Sequence, residues 1–289
     1  MPRQPSFAIG LALVPLFCFG AQPVPGSDAA SSGLCGPVHI VFTEIFTYND
    51  NGERSPGSSE RAIYDRTGYE TEVYKFDSRG VLRLHTIYMR NGKHLVKAET
   101  TSPVSKQKSV QIFNSAGVVT ETDNYDGTGT LIAKTLNRAS DKTDKWSIST
   151  TKSADGSIST LERFRDGSFQ ERTVRTDGTT VVHFHSPSAD WRQVTDSHNR
   201  SLDYIEEPST GKYLRISSQY EKDGREHETD SYDRSGKLLG QTTFQYPHED
   251  LNGNWTEMQI WVKSDGKTAQ LFQITHRAIT YYSDPDGKR

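Results

Sequence analysis

The chain has 289 residues, 34 Lys and Arg against 37 Asp and Glu, a formal net charge of −3 and only 33% hydrophobic residues. Charges of both signs are interspersed, so no basic stripe supports nucleic-acid binding and the surface reads as solvated. A mean hydropathy of −0.72 is thin for a two-layer core, whereas 10% aromatics with abundant Val, Ile, Thr and Tyr is strand material and argues against disorder.

Arg3 precedes an apolar run from Phe7 to Phe19 that is interrupted by Pro15, too short to span a bilayer comfortably. Cys18 and Gly20 place small residues before a possible cut, so residues 1–20 read as an export signal, with a retained anchor as the alternative. The expected destination is the periplasm or the exterior, and no later apolar run could cross a membrane once the signal is gone. Cys18 and Cys35 are the only cysteines. With the leader removed, Cys35 would have no partner, which excludes a structural disulfide and a multi-cysteine metal site and leaves an incidental thiol. Residues 21–37, rich in Pro, Gly, Ser and Ala, read as a flexible leader, and 38–289 as one β-repeat domain.

In chain order, strand-like sequence begins at Val38–Phe42, and a polar loop is expected over 49–60. Strands follow at 69–76, 81–89 and 94–100, then, after a break containing Pro103, at 110–113, 118–125 and 131–136. Residues 137–145 interrupt the pattern, 146–150 resume it, and turns come closest together over 158–185. The stretch 186–208 is the least regular, after which strands are expected at 213–220, 225–232, 237–246, 255–262 and 269–280. No ten-residue window shows a strong 3.6 period, so long helices are not expected outside the signal.

Between these strands one turn recurs. Asp65–Gly68, Asp77–Gly80, Asn114–Gly117, Asp126–Gly129 and Asp233–Gly236 each set Asp or Asn first and Gly fourth, after Tyr64, Phe76, Phe113, Tyr125 and Tyr232. Tighter turns end at Gly92, Gly156, Gly167, Gly178, Gly224 and Gly266. An Asx side chain accepts from backbone N–H groups two residues on, and a type I turn followed by a left-handed residue twists to suit antiparallel strands. The predicted fold is all-β: an elongated, twisted antiparallel sheet of successive hairpins, stabilised as an array.

Tyr232-Asp233-Arg234-Ser235-Gly236-Lys237-Leu238, the variant Phe76-Asp77-Ser78-Arg79-Gly80-Val81-Leu82 and the run Asp250–Thr256 together resemble the YD-repeat (Rhs-type) family. That resemblance covers residues 61–136 and 212–266 and implies a long antiparallel β array. The chain is too short to enclose a cargo and has no separate toxin-like segment after Gly266, so the family's shell function is not implied. A short exported β-repeat protein is.

Candidate chemistry is sparse. His183 and His185 share one strand face and could supply half of a metal site, with His198 the nearest further imidazole; a hydrolase built there is one reading, a solvated strand face the other. His227-Glu228 and His248-Glu249-Asp250 do not continue into a zinc-hydrolase helix, and no nucleophile elbow or phosphate loop is present. No catalytic, cofactor or metal residue is therefore assigned. Tyr64, Tyr74, Tyr88, Trp146, Tyr232, Tyr246, Trp255 and Trp261 could form an aromatic stripe for glycan or peptide stacking, or cover the sheet's own core; Tyr232, Tyr246, Trp255 and Trp261 are the chosen candidates. The expected function is a non-enzymatic exported interaction or envelope-structural module, with a carbohydrate- or peptide-binding protein as the alternative. Partners are an unknown protein or glycan, and sheet edges could support homo-association.

Overall fold

The computed structural model describes residues 27–115, 117–136, 145–164, 166–208 and 213–282. They form one short helix, α1 (Asp28–Ser31), and nineteen strands. The first eight strands are β1 (Val38–Tyr48), β2 (Arg54–Tyr64), β3 (Glu70–Phe76), β4 (Leu82–Asn91), β5 (His94–Thr101), β6 (Lys108–Phe113), β7 (Val119–Tyr125) and β8 (Leu131–Leu136). Then come β9 (Lys145–Lys152), β10 (Ile158–Phe164), β11 (Phe169–Val174), β12 (Thr180–His185), β13 (Ala189–Thr195) and β14 (Ser201–Pro208). The last five are β15 (Leu214–Tyr220), β16 (Glu226–Tyr232), β17 (Leu238–Glu249), β18 (Trp255–Ser264) and β19 (Gln270–Tyr281).

The recurring turn is the predicted one. At Asp77 the Gly80 N–H donates to the Asp77 carbonyl (2.9 Å) and the Asp77 N–H donates to the Val81 carbonyl (3.0 Å). The carboxylate accepts from the N–H groups of Arg79 (2.9 Å) and Val81 (3.0 Å), so a type I turn closes with a one-residue bulge. The same bonds recur after Asp65, Asp126, Asp233 and Asp250.

Two stretches differ from expectation. Strand β2 begins inside the predicted polar loop, because Pro56 is accommodated at a register shift opposite Phe46 and Gly57 lets the backbones close up: a Cβ there would meet the Ile45 carbonyl at 2.9 Å. The irregular stretch 186–208 holds β13 and β14, whose turn uses Asn199 at φ 63° where the other Asx turns use glycine.

Every strand pairing is antiparallel, and together they form one open, curled sheet in the order β9 to β19, then β1, then β2 to β8. The first strand is therefore central. It joins an N-terminal arm, β2–β8, to a C-terminal arm, β9–β19. Strand directions alternate from β1 outward along each arm, so β8 and β9 run the same way.

The register separates two faces. Val41, Ala62, Val73 and Ile279 lie in line on one, where they pack with Ala29, Leu34, Val38 and Tyr64; Phe244, Met258 and Ile260 form a second buried cluster farther along the same face. We call this face inner. The outer face of the N-terminal arm carries Glu72, Lys97, Glu99, Lys108, Glu121, Asp123 and Lys134, with Lys108 2.7 Å from Glu99 and Lys134 bridging Glu121 (2.5 Å) and Asp123 (3.6 Å). No helix among the described residues is long and apolar enough to cross a membrane.

Residues 27–36 dock on the inner side of the junction. Ser27 caps α1, accepting from the Ala30 N–H (3.3 Å), and the Ala29 N–H donates to the Gly68 carbonyl (2.8 Å). Gly68, at φ 85°, permits this approach, since a Cβ would meet Ser27 Oγ at 2.9 Å. Asp28 accepts from the Glu70 N–H (2.7 Å) and from Arg90 Nη2 (2.6 Å). On the other side, the Asn254 side chain, 1% exposed, accepts from the Cys35 N–H (2.7 Å) and donates to the Cys35 carbonyl (2.9 Å) and the Tyr281 hydroxyl (2.6 Å). Cys35 is disulfide-bonded, which corrects the incidental thiol; that expectation was conditional on loss of the leader.

Candidate functional site: the aromatic inner face of the C-terminal arm

Alternation along β12 to β18 decides which side chains face inward. Phe184 opposes Trp191, Tyr204 opposes Gln193 and Ile216, and Ser218, Thr229, Thr242 and Val262 continue the inner row to the second cluster. Three rings follow one another across β12–β14: Phe184 stacks on Trp191 at 5.6 Å between centroids, and Trp191 lies 6.4 Å from Tyr204. Tyr220 lies on the same side by alternation with Ser218, and a bulge in β16 between Glu226 and Glu228 turns Glu226 inward to oppose it. Shifts between Gln245 and Glu249 do the same for Trp255, whose ring lies 5.9 Å from Tyr246 against Phe244, Met258 and Ile260. All six rings are half-buried rather than sealed.

Four arginines lie over tyrosine or tryptophan rings along this side and at the α1 junction. Arg90 covers Tyr69 (4.7 Å to the centroid), Arg200 covers Tyr220 (4.9 Å), Arg225 covers Tyr246 (5.3 Å) and Arg277 covers Trp255 (3.5 Å). Arg90 has Asp28 at 2.6 Å, Arg200 has Asp196 at 2.5 Å, and Arg225 has Asp223 at 2.9 Å together with Glu249. Arg277 differs. Among the described residues it makes no ion pair; its Nε–H, like those of Arg90 and Arg225, is shut off from water without a hydrogen-bond partner. Burial lowers its pKa to about 10, an effect that the field of Tyr64, Tyr246 and Glu60 only partly offsets. Burial likewise pushes the Tyr246 hydroxyl and the Glu226 carboxyl upward.

Of the four predicted binding aromatics, the structure brings Tyr246 and Trp255 together. Tyr232 and Trp261 lie on the outer face: the Tyr232 hydroxyl donates to Asp230 (3.0 Å), Arg215 covers its ring at 5.7 Å, and the Trp261 indole donates to Gln259 (3.3 Å). Tyr74 is also outer, stacked on His85 at 4.2 Å; Tyr64 and Tyr88 belong to the junction core. The side chain of Trp146 lies outside those described. Phe184, Trp191, Tyr204, Tyr220 and Arg277 were not singled out by sequence; the signal for the first three was the Phe184/Trp191 spacing across a turn that lacks glycine.

His183 and His185 lie on the outer face, where both contact Asp190 (3.0 and 2.9 Å), and Phe169 stacks on His185 at 5.2 Å. Burial raises the Asp190 carboxyl, but the two imidazole hydrogen bonds outweigh it and hold it below its ordinary value. His183 and Asp190 border a shallow depression of about 330 Å³ with Glu171, Val181, Arg192, Ile205 and Glu207. His198 sits in the β13–β14 turn, beyond the far end of β13, roughly 10 Å or more along the strand from His183. Among the described residues no group of three or more side chains is placed to hold a metal ion, so the histidine set of the hydrolase reading is not assembled.

No family model matches the chain, and no curated protein matches it. Among solved structures it is similar to a porin-like protein from Bacteroides uniformis (12% identity, 85% of this chain and 99% of that one, TM-score 0.40). It is also similar to a LolA superfamily protein from Nitrosomonas europaea (10%, 86% and 88%, TM-score 0.24) and a DUF1329 family protein from Desulfovibrio piger (12%, 87% and 90%, TM-score 0.25). The resemblance to YD-repeat proteins is corrected, since no family model upholds it. The physical reason is visible in the turns: an Asx residue first and a left-handed residue fourth is what any bulged type I hairpin demands, so the motif reports turn chemistry rather than descent.

Proposed function

We propose that this chain is an exported, non-enzymatic binding module whose ligand seats on the aromatic inner face of the C-terminal arm. One observation carries the reading: Phe184, Trp191, Tyr204, Tyr220, Tyr246 and Trp255 line one face of β12–β18 and none of them is fully buried. Rings that served only the core would be covered, as Phe244 is at 5% exposure. This favours a binder over a purely structural envelope module. Export rests on Arg3 and the apolar run that follows it. The non-enzymatic reading is supported by placement: His183 and His185 face away from the aromatic side, and among the described residues no further metal-ligating side chain joins them and Asp190.

The test uses a neutral aromatic probe, N-phenyl-1-naphthylamine, whose fluorescence rises on entering an apolar site. Wild-type protein is expected to raise it saturably, and Trp255→Ala and Trp191→Ala to weaken it at least tenfold. An unchanged response in both variants would remove the inner face from consideration.

A further inference from the structure

We propose that Arg277 is the anion-recognising group of this face, so that the ligand carries a carboxylate or phosphate which pairs with its guanidinium beside Trp255. This rests on the binding reading above and deepens it to a ligand class.

Arg90, Arg200, Arg225 and Arg277 each lie over an aromatic ring, and the first three are each neutralised by at least one carboxylate of this chain. Arg277 has the tightest ring contact and no carboxylate within salt-bridge distance among the described residues. The groups around it do not fill that role. Thr43 opposes it on β1, buried Thr275 and apolar Ile279 flank it along β19, and Tyr64 and Tyr246 are held neutral by burial. Glu60, the nearest acid to influence it, is engaged by Lys75 at 3.2 Å.

A half-buried guanidinium with its Nε sealed and no counter-charge beside it is costly to the fold, and a fold that needed only stacking on Trp255 could use an apolar side chain; its Nη groups, which are not sealed, are the ones open to a ligand. The planar fork of Arg matches the paired oxygens of a carboxylate or phosphate, and the adjoining Trp255 and Tyr246 rings offer apolar surface to whatever the anion is attached to. An amphiphilic carboxylate and a free phosphate share this chemistry, and the test separates them.

Full-length protein is titrated calorimetrically with dodecanoate, dodecanol and inorganic phosphate, and again as Arg277→Met and Arg277→Lys, each checked by circular dichroism. Dodecanoate is expected to bind wild type at least tenfold more tightly than dodecanol. Arg277→Met should erase that difference, and Arg277→Lys, which keeps charge but not the fork, should retain part of it. Phosphate binding that disappears in Arg277→Met would also support the inference and point to a free anion. The inference is overturned if no anion binds wild type, or if anion binding is the same in Arg277→Met. The two readings fail separately. Loss of the neutral probe in Trp255→Ala with anion binding indifferent to Arg277 sinks only the anion assignment. Arg277-dependent phosphate binding without any uptake of the neutral probe sinks only the aromatic-face reading.

Discussion

Along β4 to β7 one inner row reads Thr86, Thr100, Ser109 and Asn124, and the next reads Tyr88, Ala98, Gln111 and Thr122. Across β12 to β18 the corresponding face reads Phe184, Trp191, Tyr204, Tyr220, Tyr246 and Trp255, with arginines over the last three. Both arms use the same Asx–Gly turn and the same antiparallel ladder. In these N-terminal rows the inner side chains are mostly small and polar, with Tyr88 the one ring, and Thr86 bonds Thr100 at 2.9 Å. The C-terminal arm keeps such a row in Ser218, Thr229 and Thr242 and adds six broad rings around it. Turn chemistry therefore sets the fold in both arms, and the identity of the inward side chains sets what each can do.

This contrast can be attacked by mutation. The largest effect is expected for Trp255→Ala, which opens a gap beside Phe244, Met258 and Ile260 and removes the ring beneath Arg277; by urea denaturation it should cost about 3 kcal/mol. Thr100→Ala, in the N-terminal arm, should cost less than about 1 kcal/mol. Comparable losses would erase the distinction between the arms. Next is Asn254→Leu. It strands the Cys35 N–H and carbonyl and should cost about 2–3 kcal/mol, with amide exchange rising across residues 27–36.

Arg277→Met should act in the opposite direction. By removing a buried charge without a partner it is expected to raise stability by about 1–2 kcal/mol, read as an increase in melting temperature. A fall would mean that the guanidinium is satisfied by a group of the protein itself.

The smallest effect is the dependence on pH. Hydrogen bonds hold the turn carboxyls below their usual range: Val81 N–H first for Asp77, Thr128 Oγ1 first for Asp126, Ser235 Oγ first for Asp233. Their contribution is present above the ordinary value of 3.8 and is lost as pH falls through the depressed native values. Burial raises the Glu226 carboxyl above 4.5, so its ionisation opposes folding, and stability should rise slightly as pH falls toward 4.5 before the turn carboxyls protonate. Glu226→Gln should flatten the upper limb of a melting-temperature profile and leave the acid collapse unchanged.

The strand-and-turn layout was legible because each turn is written locally. An Asx residue and a glycine in fixed spacing dictate a bulged hairpin whatever surrounds it, and β7, β8 and β16 fall within a residue of their predicted bounds. What was not legible depends on contacts far apart in sequence. The pairing of β1 with β19 has no local signature, nor does the clamp from Asn254 to Cys35, 219 residues away. The face on which an aromatic lies was also hidden wherever a register shift intervenes, which is why Trp255 and Trp261, six positions apart, point to opposite sides. Arg277 escaped notice because its distinguishing property is the lack of an acid beside it, which composition cannot reveal.

The central position of β1 also bears on how the protein matures. Hairpins within each arm can zip as soon as their own residues are available, whereas β1 must wait for β19, the last of the described strands to emerge. A polypeptide threaded through an export channel from its N-terminus would hold β1 with one flank unpaired until its tail arrived. In that interval the Ile40, Phe42 and Phe46 side of β1 is the segment for which a holding chaperone would compete. Final assembly should then be a single slow event, set by one late encounter between the two termini of the sheet-forming chain.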